Sequence, residues 1–256
     1  MSLKVRDRLW LWGHDRGIQN KRWGLQEESS ITPADACRNM SIENLIMVRE
    51  FGKPEPPYEP YMESFKTLKN VVWSLVGAGG TFQEGELERI VELKRKYPNL
   101  TGAMMDDFFG HEKGAVFAPQ AIRNTRETLH SHNLNLWVVL YQHQLNLDVA
   151  SHLKECDTAT FWTWKAEDLN NLEENFEKFV AIAPSVRRIL GCYMWDYGNS
   201  KPMPVSLMEK QCNLGLQWLK EGRVDGMIFL ASCICDLNID AVNWTRRWIS
   251  TAGGLK

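Results

Sequence analysis

No segment of the 256-residue chain approaches the eighteen or so consecutive apolar residues of a membrane-spanning helix. The opening MSLKVRDRLW also lacks the apolar core of a signal peptide. The expectation is a soluble chain with no membrane partner, cytoplasmic as written, or periplasmic or secreted if the leading MSL replaces a removed signal peptide. Charge of one sign is lacking too: 30 Lys and Arg against 32 Asp and Glu leave a net charge of -2. Nothing there attracts a polyanion, so no nucleic-acid partner is expected. Paired cysteine spacing is missing, since Cys233 and Cys235 form C-x-C rather than C-x-x-C. All six cysteines, among them Cys37, Cys156, Cys192 and Cys212, lie mostly in apolar stretches and read as unpaired buried thiols. WGHDRG after the first apolar run is not the G-x-G-x-x-G of a dinucleotide site. VGAGG reads as a permissive turn rather than a phosphate cradle. With no H-E-x-x-H and no H-x-H closing the first strand, neither a metal nor another cofactor is expected.

What is present is a repeat of apolar, β-branched or aromatic runs at roughly thirty-residue intervals, each followed by helical periodicity. The runs predict strands over 8–14, 44–50, 70–76, 101–107, 134–143, 158–164, 188–196 and 226–232. Between them QEGELERIVELKRKYP, APQAIRNTRETLHSHN and PVSLMEKQCNLGLQWLKEG read as amphipathic helices. Gly222 is placed to cap the seventh helix, and Asp168 to open the sixth. Four prolines in KPEPPYEPY force an extended loop after the second strand. Eight strand–helix units imply parallel strands joined by right-handed crossovers and closed into a single-domain (β/α)₈ TIM barrel over 1–256. Helix-to-strand links are short, whereas the strand-to-helix loops after strands one, two and four are long. That elaboration marks the C-terminal face as the functional one.

The strand ends are rich in ionisable and aromatic groups: Trp12 and His14; Arg49 and Glu50; Trp73; Asp106 and Asp107; Tyr141 and His143; Trp162, Trp164 and Lys165; Trp195, Asp196 and Tyr197. The central element is GAMMDDFFG. Successive strand residues point to opposite sides, so Asp106 and Asp107 need not share a task. Crowded carboxylates also drive one pKa upward, which can hold one group as an acid beside an anion. Asp196, across the barrel from the fourth strand, is a candidate partner for glycosidic cleavage by two carboxylates, or else a salt-bridge partner of Arg49 or Lys165. Eleven tryptophans are present, and those at strand ends offer flat faces for sugar rings. His111, His130, His132 and His152 receive no role.

This pattern resembles a (β/α)₈ glycoside hydrolase. The MMDDFF segment is similar to the Asp-Asp motif of substrate-assisted N-acetylhexosaminidases, including the O-GlcNAcase family. The resemblance implies that Asp106 orients a substrate acetamido group, that Asp107 is the general acid and base, and that Trp162, Trp195 and Tyr197 line a sugar pocket. The fourth strand does not end in the Asn-Glu of the large retaining barrel clan, so Asp196 as nucleophile stays open. Other readings are a metal-dependent hydrolase, lyase or isomerase built on His14, Glu50, His143 and the aspartates, and a non-catalytic carbohydrate-binding barrel. A saccharide is the expected partner; oligomeric state is not legible.

Overall fold

The computed structural model describes residues 4–110 and 116–255. His111 and part of the loop after the fourth strand lie outside the described residues. The eight main strands are β1 (Leu9–Gly13), β2 (Asn44–Met47), β3 (Asn70–Gly77), β4 (Leu100–Met105), β5 (Asn135–Tyr141), β6 (Thr158–Trp162), β7 (Arg187–Tyr193) and β8 (Gly226–Leu230). Each pairs in parallel with its sequence neighbours, and β1 closes the ring on β8 with Leu9 opposite Met227 and Trp12 opposite Leu230. The helices are α1 (Pro33–Met40), α2 (Glu59–Ser64), α3 (Glu86–Lys96), α4 (Pro119–Ser131), α5 (Ala150–Leu153), α6 (Leu172–Ile182), α7 (Val205–Glu221) and α8 (Asp240–Ala252). The expected (β/α)₈ barrel is therefore the fold.

The strands read as continuous apolar runs because a barrel strand is buried on both faces, by the interior side chains and by the helical ring. β1, β2, β6 and β8 are buried at every position. The helices alternate instead: α3 turns Ile90, Val91 and Leu93 inward and leaves most of its charge in solvent. Gly222 ends α7 with φ of 71°, the left-handed conformation that a capping glycine accepts without strain. Asp168 does not open a helix as expected. A 3₁₀ segment, Ala166–Asn171, precedes α6, and Asp168 Oδ2 accepts from Gln142 Nε2 at 2.9 Å. All six cysteines are buried and free. Among the described residues no helix is long and apolar enough to cross a membrane.

The predicted seventh strand overruns the observed one, and the difference relocates a candidate residue. The Met194 amide still donates to Leu230 O at 3.0 Å, after which the chain leaves the barrel and Trp195–Asp196 pairs antiparallel with Lys201–Pro202 in a small ribbon. Apolar content continues through MWDY, but the parallel ladder stops at its first residue.

Candidate active site

At the C-terminal mouth of the strands lies a cavity of about 720 Å³. Its walls include Trp12, Trp23, Trp162, Trp164, Tyr141, Tyr193 and Tyr197, together with His14, Glu50, Asp106, Asp107 and His143. Trp162, buried at the end of β6, floors it. Its indole donates to Thr160 Oγ1 at 2.8 Å and meets Trp12 and Tyr193 with ring centroids 5.2 and 5.0 Å away. The ring fits because residue 191 on β7 has no side chain: a Cβ there would sit 2.1 Å from Trp162 Cδ2. Above the floor, Trp164 stacks with Tyr197 at 6.4 Å, and Trp23 meets both edge-on.

β4 ends at Met105, so the two aspartates sit just beyond the strand rather than within it. The Asp106 amide still donates to Val76 O at 2.9 Å, which carries the ladder one residue further. Asp107 then turns into the left-handed region with φ of 43°, which Asp tolerates better than most residues. Strand alternation consequently fails here, and both side chains line one cavity. Asp106 is buried, and its Oδ1 accepts the Asp107 amide at 2.9 Å. Burial first, then the charge of Asp107, pushes the Asp106 carboxyl well above the ordinary carboxylate range; Glu50 adds to this and the Asp107 amide opposes it. Asp107 Oδ1 accepts the Tyr141 hydroxyl at 2.7 Å, and Oδ2 accepts the Gly79 amide at 2.7 Å. The VGAGG turn thus supplies a backbone donor to a carboxylate.

Facing this pair is a second polar group. Glu50 Oε2 lies 3.3 Å from His14 Nδ1, off the line of a hydrogen bond, and accepts Gln19 Nε2 at 3.4 Å. Gln19 Oε1 accepts the Tyr197 hydroxyl at 2.8 Å. Burial holds the His14 imidazole below its ordinary value, outweighing Glu50, the Val48 carbonyl and Asp107, which act the other way. His143 stacks on Tyr141 at 5.3 Å and is likewise lowered by burial, against Asp107 and Asp168. The tyrosine hydroxyls of residues 141, 193 and 197 are all pushed up, first by burial.

Five candidates lie outside the cavity lining. Asp196 is wholly buried: Oδ1 accepts the Ala166 and Asn199 amides at 3.3 and 3.2 Å, and Oδ2 accepts Asn199 Nδ2 at 2.8 Å. It holds the turn of the ribbon together, and its nearest cation is Lys201 Nζ at 3.9 Å rather than Arg49 or Lys165. Asp196 is thus placed in the ribbon, outside the lining of the cavity that holds Asp106 and Asp107. Arg49 points away from the mouth to Glu86, 3.1 Å away, with Gln83 and the Thr81 carbonyl as further acceptors. Trp73 is sealed beneath Tyr58 and Tyr61. Lys165 is exposed outside the cavity. Trp195 donates to Trp23 O at 2.8 Å and lines a separate groove of about 410 Å³.

Gln19, Trp23 and Tyr193 belong to the site although strand-end reading did not name them. Trp23 had a signal, being the one tryptophan in a loop rich in charged and polar residues; Gln19 had none. Among the described residues no group of three or more His, Cys, Asp or Glu is placed to hold a metal ion.

No protein-family profile and no curated protein matches the sequence. Solved structures do match in fold. Active domain 2 of the chitinase from Pyrococcus furiosus is 12% identical, with a TM-score of 0.62 over 98% of this chain and 97% of that one. The spore cortex-lytic enzyme SleL from Bacillus megaterium is 12% identical, with a TM-score of 0.58 over 100% and 76%. The tryptophan synthase A-subunit from Pyrococcus furiosus is also 12% identical, with a TM-score of 0.55 over 99% and 100%. Barrels of unlike chemistry stand side by side in this set, so the likeness identifies the chain as a closed (β/α)₈ barrel and leaves its reaction to the side chains at the mouth.

Proposed function

We propose that the protein is a glycoside hydrolase that seats a saccharide in the mouth of the barrel and cleaves it by acid catalysis from the Asp106–Asp107 pair. The observation that carries this reading is the pair itself: two adjacent carboxylates, one buried and one held by Tyr141 and Gly79, in a cavity walled by tryptophan and tyrosine. Flat rings pack against the apolar faces of a pyranose, while the polar groups between them fix its hydroxyls. Asp106, kept protonated by burial and by its neighbour, is the acid that gives its proton to the leaving oxygen. Asp107, anchored by its two donors, faces the positive charge that develops at the anomeric carbon; water then bonds to that carbon and returns a proton to the Asp106 carboxylate. No cofactor enters this scheme.

The resemblance to substrate-assisted enzymes implies the opposite order, with Asp106 on an acetamido group and Asp107 as acid. The two orders separate by leaving group, because loss of the acid harms a poor leaving group more than an activated one. Asp106→Asn and Asp107→Asn are to be compared on a dinitrophenyl glycoside and an alkyl glycoside. In our order Asp106→Asn loses the alkyl substrate far more than the dinitrophenyl one. Saccharide binding with no turnover of any glycoside by the unaltered protein would leave a binding barrel instead.

A further inference from the structure

We infer that Glu50, with His14 and Gln19 beside it, forms a subsite for a protonated amine, so that the preferred ligand is a saccharide carrying a free amino group. This deepens the glycosidase reading and rests on it for the saccharide part of the claim.

Three observations converge on this subsite. Glu50 is 5% exposed and lines the cavity, yet among the described residues its carboxylate meets only the Gln19 amide at 3.4 Å and the His14 ring at 3.3 Å. A buried carboxylate without a close donor or cation is costly, and a bound cation removes that cost. The adjacent Arg49, the obvious candidate to neutralise it, is committed to Glu86 on the other side of the strand end. Nδ1 of His14, itself 4% exposed, also has no hydrogen-bond partner. A buried, unpartnered ring nitrogen next to an under-satisfied carboxylate is a place for a ligand group rather than a finished structural contact.

The rest of the cavity favours the same sign of charge. Its described lining holds three carboxyl groups, Glu50, Asp106 and Asp107, the second of them protonated in the proposed scheme, and neither lysine nor arginine. Indole and phenol faces attract cations through their quadrupoles, and Trp12 and Tyr197 stand next to the Glu50 group. An ammonium donates three hydrogen bonds, enough to use the Glu50 carboxylate, the Gln19 carbonyl oxygen and a neutral imidazole nitrogen together. A hydroxyl donates only one. Uronates and phosphorylated sugars meet uncompensated like charge in the same place and are excluded.

The test is titration calorimetry of the unaltered protein with glucosamine, N-acetylglucosamine, glucose and glucuronate at a pH below about 7, where an amine of this class holds its proton. Glucosamine is expected to bind at least about tenfold more tightly than glucose, and glucuronate more weakly than either. Raising the pH should narrow the preference for glucosamine over glucose as the ligand amine loses its charge, a readout that needs no variant. Glu50→Gln should abolish the tenfold preference while glucose binding persists. Equal affinity for glucosamine and glucose, or a preference that survives in a folded Glu50→Gln protein, overturns the inference. Hydrolysis of aryl glycosides by the unaltered protein is measured alongside. Turnover without amine preference defeats the subsite and keeps the glycosidase, whereas amine preference without turnover keeps the subsite and defeats the glycosidase.

Discussion

Replacing Gly191 by alanine tests whether the floor of the cavity is built as described. The new Cβ would lie 2.1, 2.2 and 2.5 Å from three atoms of the Trp162 ring. Carbon atoms prefer separations of about 3.5 Å or more, so ring or strand must give way by roughly 1.4 Å. Trp162 cannot do so freely, being buried between Trp12 and Tyr193. Overpacking of this kind costs about 1–3 kcal/mol. Rotation out of the way would also break the Trp162–Thr160 hydrogen bond and strand a buried donor, a further cost of about 1–3 kcal/mol. A total near 4 kcal/mol, set against an unfolding entropy of about 0.5 kcal/mol per kelvin for a chain of this length, lowers Tm by roughly 7 °C. Scanning calorimetry reads this directly. A double-mutant cycle with Trp162→Leu then assigns the cause, since removing the ring should make Gly191→Ala nearly neutral. A melting point within about 2 °C of the parent, or no coupling between the two positions, would refute the packing argument.

Asp106→Asn should change the pH dependence of stability as well as activity. Because the folded-state carboxyl titrates above its unfolded value of about 3.9, it favours folding fully below that pH and loses this contribution as pH rises through the folded value. The parent should therefore lose stability relative to the variant as pH climbs from about 4, and denaturant melts across pH would show it. Asp196→Asn should cost about 1–3 kcal/mol, because an amide nitrogen then opposes the Asn199 Nδ2 donor, with turnover per folded molecule retained; a complete loss of turnover would restore Asp196 to the reaction. Arg49→Met should destabilise by about 3 kcal/mol, the lower end for a broken buried pair because Arg89 still reaches Glu86, and should leave saccharide affinity unchanged. Melting curves beside a binding titration separate those two outcomes.

The eight barrel strands were legible because burial on both faces writes itself as an apolar run, whatever the neighbours are. Asp106 and Asp107 were legible for a related reason: ionisable residues interrupting such a run mark where the strand leaves the core. Past that point the sequence signal fades. MWDY carries as much aromatic content as a strand, and only the antiparallel pairing with Lys201–Pro202 shows that Asp196 has left the barrel. Arg49 stands next to Glu50 in the chain but turns to Glu86, and a partnership across 37 positions leaves no local periodicity to read. Gln19 enters the site from a loop, where no repeat announces which side chain will turn inward.

The loop that brings in Gln19 and Trp23 has its anchors far downstream. Trp23 receives the indole of Trp195, and Ser29 donates to Asp236 at 2.6 Å, so the wall contributed by the first tenth of the chain is fastened by its last quarter. During synthesis this rim lacks these two downstream anchors until the last quarter of the chain has been made, and β1 likewise waits for β8. A nascent chain therefore builds its strands and helices well before it owns a binding site. A fragment lacking the final strand and its loop would lose the closure of the barrel on β1 and the Asp236 anchor of the rim, even with every candidate catalytic residue still present.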